Sequence, residues 1–198
     1  VGDVEISLQL IGRFNLYNAL AALATAAALE IPLETIRKAL AEMENVPGRL
    51  EAVGTSKHKR IFVDYAHTDD ALSNVLTALR EITPGRLVVV FGCGGNRDAG
   101  KRRLMGEVAS RLADYSVITN DNPRNEVPEK IAADIAAGFD SERKYETILD
   151  RRSAIARGIE LIGKKDVLLV AGKGHETVQE VGGAIFPFDD RETVRELL

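Results

Sequence analysis

The chain has no tryptophan, a single cysteine and only 5% aromatic residues. The lone Cys93 excludes an intrachain disulfide and fits a reducing compartment. No apolar run approaches the roughly 20 residues that span a bilayer, and the longest Ala/Leu-rich stretch, 19–29, reads as ordinary helix. Positive charge is not in excess, with 26 Lys and Arg against 30 Asp and Glu for a net −4. A general footprint for nucleic acid is therefore missing. The opening "VGDVEISLQL" carries no basic n-region, so no signal peptide is expected. These absences predict a cytoplasmic protein, expected to be a monomer, with neither nucleic acid nor membrane as partner.

What is present is the composition of a soluble globular protein, 45% hydrophobic and 28% charged over 198 residues. That length suits one well-buried domain, or a domain with a smaller piece attached. Two textures meet near residue 47. Residues 13–45 read as helical, with Pro32 opening a second helix whose Leu33, Ile36, Leu40 and Met43 share a face. "NVPGRLE" (45–51) is punctuation. Beyond it, strands are predicted at 60–65, 87–91, 115–119, 145–149 and 166–172. Helices are predicted at 69–82, 101–113, 128–138 and 151–162. A hairpin turning at Gly182-Gly183 and a short last helix complete the pattern. Continuous apolar strands alternating with helices predict an α/β fold: a Rossmann-like, mostly parallel sheet with helices on both faces and a C-terminal hairpin, preceded by a small helical remnant.

In such sheets ligands sit beyond the carboxyl ends of the strands, and four polar or glycine-rich segments fall there. "DYAH" (64–67) places a carboxylate and an imidazole at a strand tip, although Asp64 capping the next helix would explain it as well. His58, in "SKHKR", reads as solvated surface. "FGCGGNRDAGKR" (91–102) matches seven positions of the phosphate-binding G-x-x-x-x-G-K-[ST] loop, but Arg102 stands where that loop needs a hydroxyl for Mg²⁺. Its glycines and Arg97 suit an anion other than a nucleotide phosphate. A dinucleotide fingerprint fits poorly, since Arg97 stands where its third glycine belongs. Cys93 lacks a neighbouring base and reads as packing. "TNDNPRNE" (119–126) is a turn that leaves Arg124 unexplained beside Asn122. "VAGKGHE" (170–176) crowds Lys173, His175 and Glu176 onto one turn, which is costly unless something binds. Two arginines, an asparagine, a glycine-rich backbone and a glutamate at one sheet edge suit a small zwitterion. The arginines would hold carboxylate and Glu176 would hold ammonium.

"GRFNLYNALAA" (12–22), "PGRLE" (47–51), "DYAHTDDAL" (64–72), "FGCGGNRDAGKR" (91–102), "DNPR" (121–124) and "AGKGHE" (171–176) occur in this order across nearly the whole chain. Together they resemble the Mur ligases of peptidoglycan synthesis and, more distantly, the folylpolyglutamate synthetases. "DNPR" is similar to the version in the branch that adds meso-diaminopimelate rather than lysine. The resemblance implies that residues 1–46 are the C-terminal end of a central ATPase domain and 47–198 a complete C-terminal domain. The phosphate loop, the Mg²⁺ ligands and a carbamylated lysine would then lie upstream. It implies a meso-diaminopimelate site at Arg97, Asn122, Arg124, Gly172 and Glu176. Asn18, Arg49, Asp64 and His67 would face the nucleotide. ATP with Mg²⁺ and a UDP-muramoyl dipeptide would be the other reactants, and this chain would supply positioning residues with no catalytic base and no metal ligand. One departure is Asp69, where relatives usually carry proline. A lysine-adding ligase, or a binding module that keeps the fold, remains the alternative.

Overall fold

The computed structural model describes residues 5–53, 59–142 and 144–198, so His58 lies outside the described residues. The chain divides into two compact units, Val1–Val46 and Pro47–Leu198.

The first unit holds α1 (Arg13–Ala28) and α2 (Leu33–Glu42). Helix α1 is rich in alanine and has no side-chain cap; only Asn15 and Ala19 are buried along it. Leu16, Tyr17 and Leu20 are at least half exposed.

The second unit runs β1 (Glu51–Ala52), β2 (Arg60–Asp64), α3 (Asp69–Ile82), β3 (Leu87–Phe91), α4 (Gly100–Leu112) and β4 (Tyr115–Ile118). It continues with α5 (Pro128–Ala136), β5 (Tyr145–Thr147), α6 (Arg151–Leu161), β6 (Val167–Ala171), β7 (Val178–Val181), β8 (Ala184–Pro187) and α7 (Asp190–Leu197). Six strands form one sheet in the order β1-β2-β6-β3-β4-β5, parallel except for β1. The short β1 was not foreseen in the "NVPGRLE" punctuation. It pairs Glu51 and Ala52 antiparallel to Val63 and Phe62.

Strands β3 and β6 are buried at every residue, which is why they read as unbroken apolar runs and not as alternations. Side chains still alternate between faces. Val63, Val88, Val90, Val117, Leu168 and Val170 cluster with Ile155, Ile159 and Val194 of α6 and α7. Helices α3, α4 and α5 pack side by side on the opposite face. Thr68 caps α3, accepting from Ala71 N–H, and Asp69 and Asp70 occupy its first turn, where the helix dipole favours negative charge. Asp64 is therefore not the cap. The β7–β8 hairpin turns through Gly182 and Gly183, both at positive φ, as a two-residue loop of this hand requires.

The carboxyl edge of the sheet is closed by a buried ion pair. Arg151, the first residue of α6, and Asp190 of α7 are both fully buried, with Nε–Oδ1 and Nη2–Oδ2 distances of 2.7 Å. The same guanidinium donates to the carbonyls of Asn120 and Ala171, each at 3.0 Å. It thus ties the ends of β4 and β6 to α7. Removing one partner strands a buried charge, so Asp190→Ala or Arg151→Met alone should cost about 3–5 kcal/mol. The double variant Arg151→Met/Asp190→Leu should lose less than the sum. Urea unfolding of the three variants checks this; strictly additive losses would mean that the pair is not coupled.

Candidate functional site

The loops following β2, β3, β4 and β6 converge on a cleft of about 450 Å³ at the carboxyl edge. After β6, Gly172 adopts φ +117, a conformation closed to ordinary side chains, and a Cβ there would press on the Asp121 carboxylate. After β3, a Cβ on Gly95 would overlap the Pro123 carbonyl oxygen. Only glycine at 95 lets the loops after β3 and β4 touch. They are stitched there by Gly95 N–H to the Asn122 carbonyl and by Arg124 Nη1 to the Gly95 carbonyl, both 2.8 Å.

Arg97, Asn122, Arg124, Gly172, Glu176 and His67 all line this cleft. Arg97 is exposed and forms no ion pair among the described residues. Arg124, at φ +52, is partly committed: its Nε lies 3.0 Å from Glu180 Oε2 on the hairpin. Glu126, the surface partner an isolated turn would offer, pairs instead with Arg102.

The crowding at "AGKGHE" is settled internally. Lys173 is fully buried and donates to Glu176 Oε2 at 2.9 Å and to Asn122 Oδ1 at 3.1 Å. Asn122 Nδ2 also donates to Glu176 Oε2, at 3.1 Å. Burial works to raise the Glu176 carboxyl, but the bonds from Lys173 and Asn122 outweigh it and hold the group below its ordinary value. Glu176 therefore brings less free negative charge than its residue type suggested.

The buried carboxyl of the cleft is Asp121, which sequence reasoning passed over. It is 7% exposed, lines the cleft and has no hydrogen-bond partner for its carboxylate among the described residues. Burial pushes it above the usual carboxylate range, with Arg151 and Lys173 pulling the other way. Its position beside Asn122, in a turn with two residues already singled out, was the signal available. Lys101 was also missed. It lines the cleft and donates to the His67 carbonyl at 2.7 Å.

The residues after β2 form a second cluster. Asp64 is buried; its oxygens accept from Leu50 N–H at 2.6 Å and Ala66 N–H at 2.7 Å. Burial raises its carboxyl against these bonds and Arg49. The Arg49 guanidinium lies 5.2 Å from the Tyr65 ring centroid. His67 Nδ1 sits 2.9 Å from the Tyr65 carbonyl, which can only accept, so Nδ1 carries the proton and a neutral ring keeps Nε2 as acceptor. Asn18 is exposed on α1 in the first unit, bonded to Asn15 Oδ1 at 3.3 Å. Cys93 is buried against Met105, its thiol pushed up to about 12 by burial, which fits packing and not nucleophilic use.

Asp121 generates a stability prediction. Its carboxyl is raised in the folded state, so the fold holds that proton more tightly than the unfolded chain does. Its contribution to stability therefore falls as pH rises from below the ordinary value of 3.8 through the raised one. Asp121→Asn should match the parent in acid and be more stable at neutral pH, by about 0.5–2 kcal/mol. Urea melts of both at pH 4 and pH 7 measure the difference; a variant equally stable or weaker at pH 7 would show that the carboxylate has a partner.

Residues 48–174 match the family model described as "Mur ligase, glutamate ligase domain". The chain is 48% identical over 195 residues to the UDP-N-acetylmuramoyl-L-alanyl-D-glutamate–2,6-diaminopimelate ligase of Caldanaerobacter subterraneus, covering 98% of this chain and 40% of that protein. It is 45% identical over 197 residues to the protein of the same name from Coxiella burnetii, covering 100% and 40%. A solved structure of an enzyme with that name superposes with a TM-score of 0.76 at 40% identity, over 99% of this chain and 40% of that one. The UDP-N-acetylmuramate-alanine ligase of Thermotoga maritima shares the fold at 21% identity, with a TM-score of 0.70 over 98% of this chain and 39% of that one. The chain spans about 40% of the length of the curated relatives it matches.

Proposed function

The chain belongs to the Mur ligase family, and on that premise we propose that it is the amino-acid-binding part of an ATP-dependent ligase. That ligase adds meso-diaminopimelate to UDP-N-acetylmuramoyl-L-alanyl-D-glutamate in peptidoglycan synthesis. Residues 47–198 are its C-terminal domain, and residues 1–46 are the end of the ATPase domain that precedes it. The enzyme works in the cytoplasm as a monomer on small molecules.

The observation that carries this reading is the charge set of the cleft. Arg97 and Arg124 stand on different loops, with the unpartnered Asp121 and the polarised Asn122–Glu176 pair beside them. Two guanidiniums suit the two carboxylates of diaminopimelate. Asp121 and the remaining oxygen of Glu176 suit an ammonium, with the backbone at Gly172 open to close approach. Buried donors and acceptors of this kind reward a ligand that pairs them all.

The reaction needs a substrate carboxylate activated as an acyl phosphate, then attack by the free amine of diaminopimelate with loss of phosphate. This chain's part is to hold that amine in reach, a contribution of up to roughly 7–11 kcal/mol in ideal cases. Arg49, His67 and Asn18 are assigned to the nucleotide side. Asp64 acts there through the loop it pins at Leu50 and Ala66. Among the described residues no group of three or more His, Cys, Asp or Glu is placed to hold a metal ion. The residues here do not fit the Mg²⁺ site of the family, and no step is assigned to it.

Two outcomes are expected. The chain alone, given ATP, Mg²⁺ and both substrates, forms no amide; product detected by mass spectrometry would overturn its role as a part. In the full-length ligase, Arg124→Ala should lower kcat/KM for diaminopimelate by about ten- to a hundredfold, the range of one or two lost charged hydrogen bonds. Use of L-lysine, which lacks the far carboxylate, should change little. An equal small effect on both amino acids would leave Arg124 as part of the turn only.

A further inference from the structure

Arg102 is the residue that spoils the phosphate-loop pattern, and the structure gives it unusual surroundings. It is the third residue of α4, where the helix dipole disfavours a cation. It is nonetheless 1% exposed. Two carboxylates compensate it. Nη2 donates to both oxygens of Glu126, each at 2.9 Å, and Nη1 to Asp134 Oδ2 of α5 at 2.9 Å. A buried, hydrogen-bonded charge in this position is expensive to keep without a structural return.

The return lies in what Glu126 does next. Its Oε1 also accepts the backbone N–H of Asn96, the residue before Arg97. Glu126 itself is two residues after Arg124. The same two loops are joined by Asn125 N–H to Asn96 Oδ1 at 3.1 Å. Asn96 and Arg124 both sit at positive φ, +53 and +52, which non-glycine residues keep only where neighbours over-determine them. These bonds add to the direct Gly95–Asn122 and Arg124–Gly95 bonds between the two arginine-bearing loops, and the Arg102 guanidinium anchors the end that runs through Glu126.

We propose that Arg102 is a positioning residue: through Glu126 it sets the spacing between Arg97 and Arg124, and so the separation of the two carboxylates that the cleft accepts. This rests on the reading of the cleft as a diaminopimelate site. Neither Arg102 nor Glu126 lines the cleft, so the effect passes through the loops and not through ligand contact. A lysine at 102 keeps the charge but cannot make the forked contact with Glu126 while also reaching Asp134.

The test uses the full-length ligase carrying this chain, with Glu126→Gln, Arg102→Lys and Arg102→Met. Glu126→Gln keeps the volume and an acceptor for Asn96 N–H but loses the charged fork. KM for diaminopimelate should rise about ten- to a hundredfold in Glu126→Gln and Arg102→Met, the scale expected of an ångström-level misplacement. Arg102→Lys should fall between them and the parent. The KM for ATP should not move. A homologue of diaminopimelate longer by one methylene should be rejected less sharply by the variants than by the parent, a change that general loss of stability would not produce. Should Arg102→Met not fold, Glu126→Gln and Arg102→Lys carry the test, since Glu126 is only partly buried. A folded Glu126→Gln with unchanged KM and unchanged rejection of the longer homologue overturns the clamp. A parent enzyme that does not use diaminopimelate at all overturns the substrate reading instead, and with it the ligand to which the clamp is matched.

Discussion

A guanidinium with no access to water organises the carboxyl edge of this sheet. Arg151 takes its two carbonyl partners from the residues just before Asp121 and Gly172, and its counter-ion from the last helix. Backbone carbonyls at strand ends have lost their ladder partners and must find others. Here one side chain satisfies two of them and fixes the exit direction of both strands. It also leaves positive charge directly behind the cleft floor. An unpartnered carboxylate at Asp121 is tolerable because Arg151 and Lys173 both act on it from the protein side.

The same logic of buried cations recurs at three positions with different partners. Arg151 holds strand ends, Lys173 orients the Asn122 amide and one oxygen of Glu176, and Arg102 holds the loops between them. Each is essentially inaccessible. Arg97, by contrast, is exposed at the cleft, and the half-buried Lys101 lines it while donating to the His67 carbonyl. The fold thus separates buried charges that shape the site from exposed ones that face a ligand. Surface ion pairs elsewhere, such as Arg37 with Glu34 or Arg152 with Glu196, are exposed and contribute little.

Much of this architecture was legible before any coordinates. The helices after residue 60 announced themselves by the period of their apolar residues. The central parallel strands β2, β3 and β6 showed as apolar runs, because burial on both faces removes alternation. Strand β1 was not legible. It is two residues long and follows Leu50, a branched residue at φ +47, a conformation that no local propensity favours. The cleft residues were found because they cluster at strand ends, but their commitments were not. Whether Glu176 faces a ligand or Lys173 depends on where a buried ammonium points, and that is decided by tertiary packing. Asp121 was hidden by the ordinary meaning of its neighbourhood, since Asp-Asn-Pro is turn chemistry wherever it occurs. Arg102 was read only as a mismatch to a pattern, when its burial is what makes it informative.

Tyr65 lines the cleft with the Arg49 guanidinium 5.2 Å from its ring centroid and the rings of His67 and His175 at 4.7 and 5.2 Å. The chain has four tyrosines and no tryptophan. Tyr115 and Tyr145 begin their strands at the far, amino edge of the sheet, and Tyr17 is exposed on α1. Without an indole in this chain, its emission is that of phenols alone. Tyr65 is the one phenol whose light is subject to two imidazoles and a guanidinium at the mouth of the cleft. A ligand seated in the cleft would thus bear on the emission of one of this chain's four phenols and leave the other three as an internal reference.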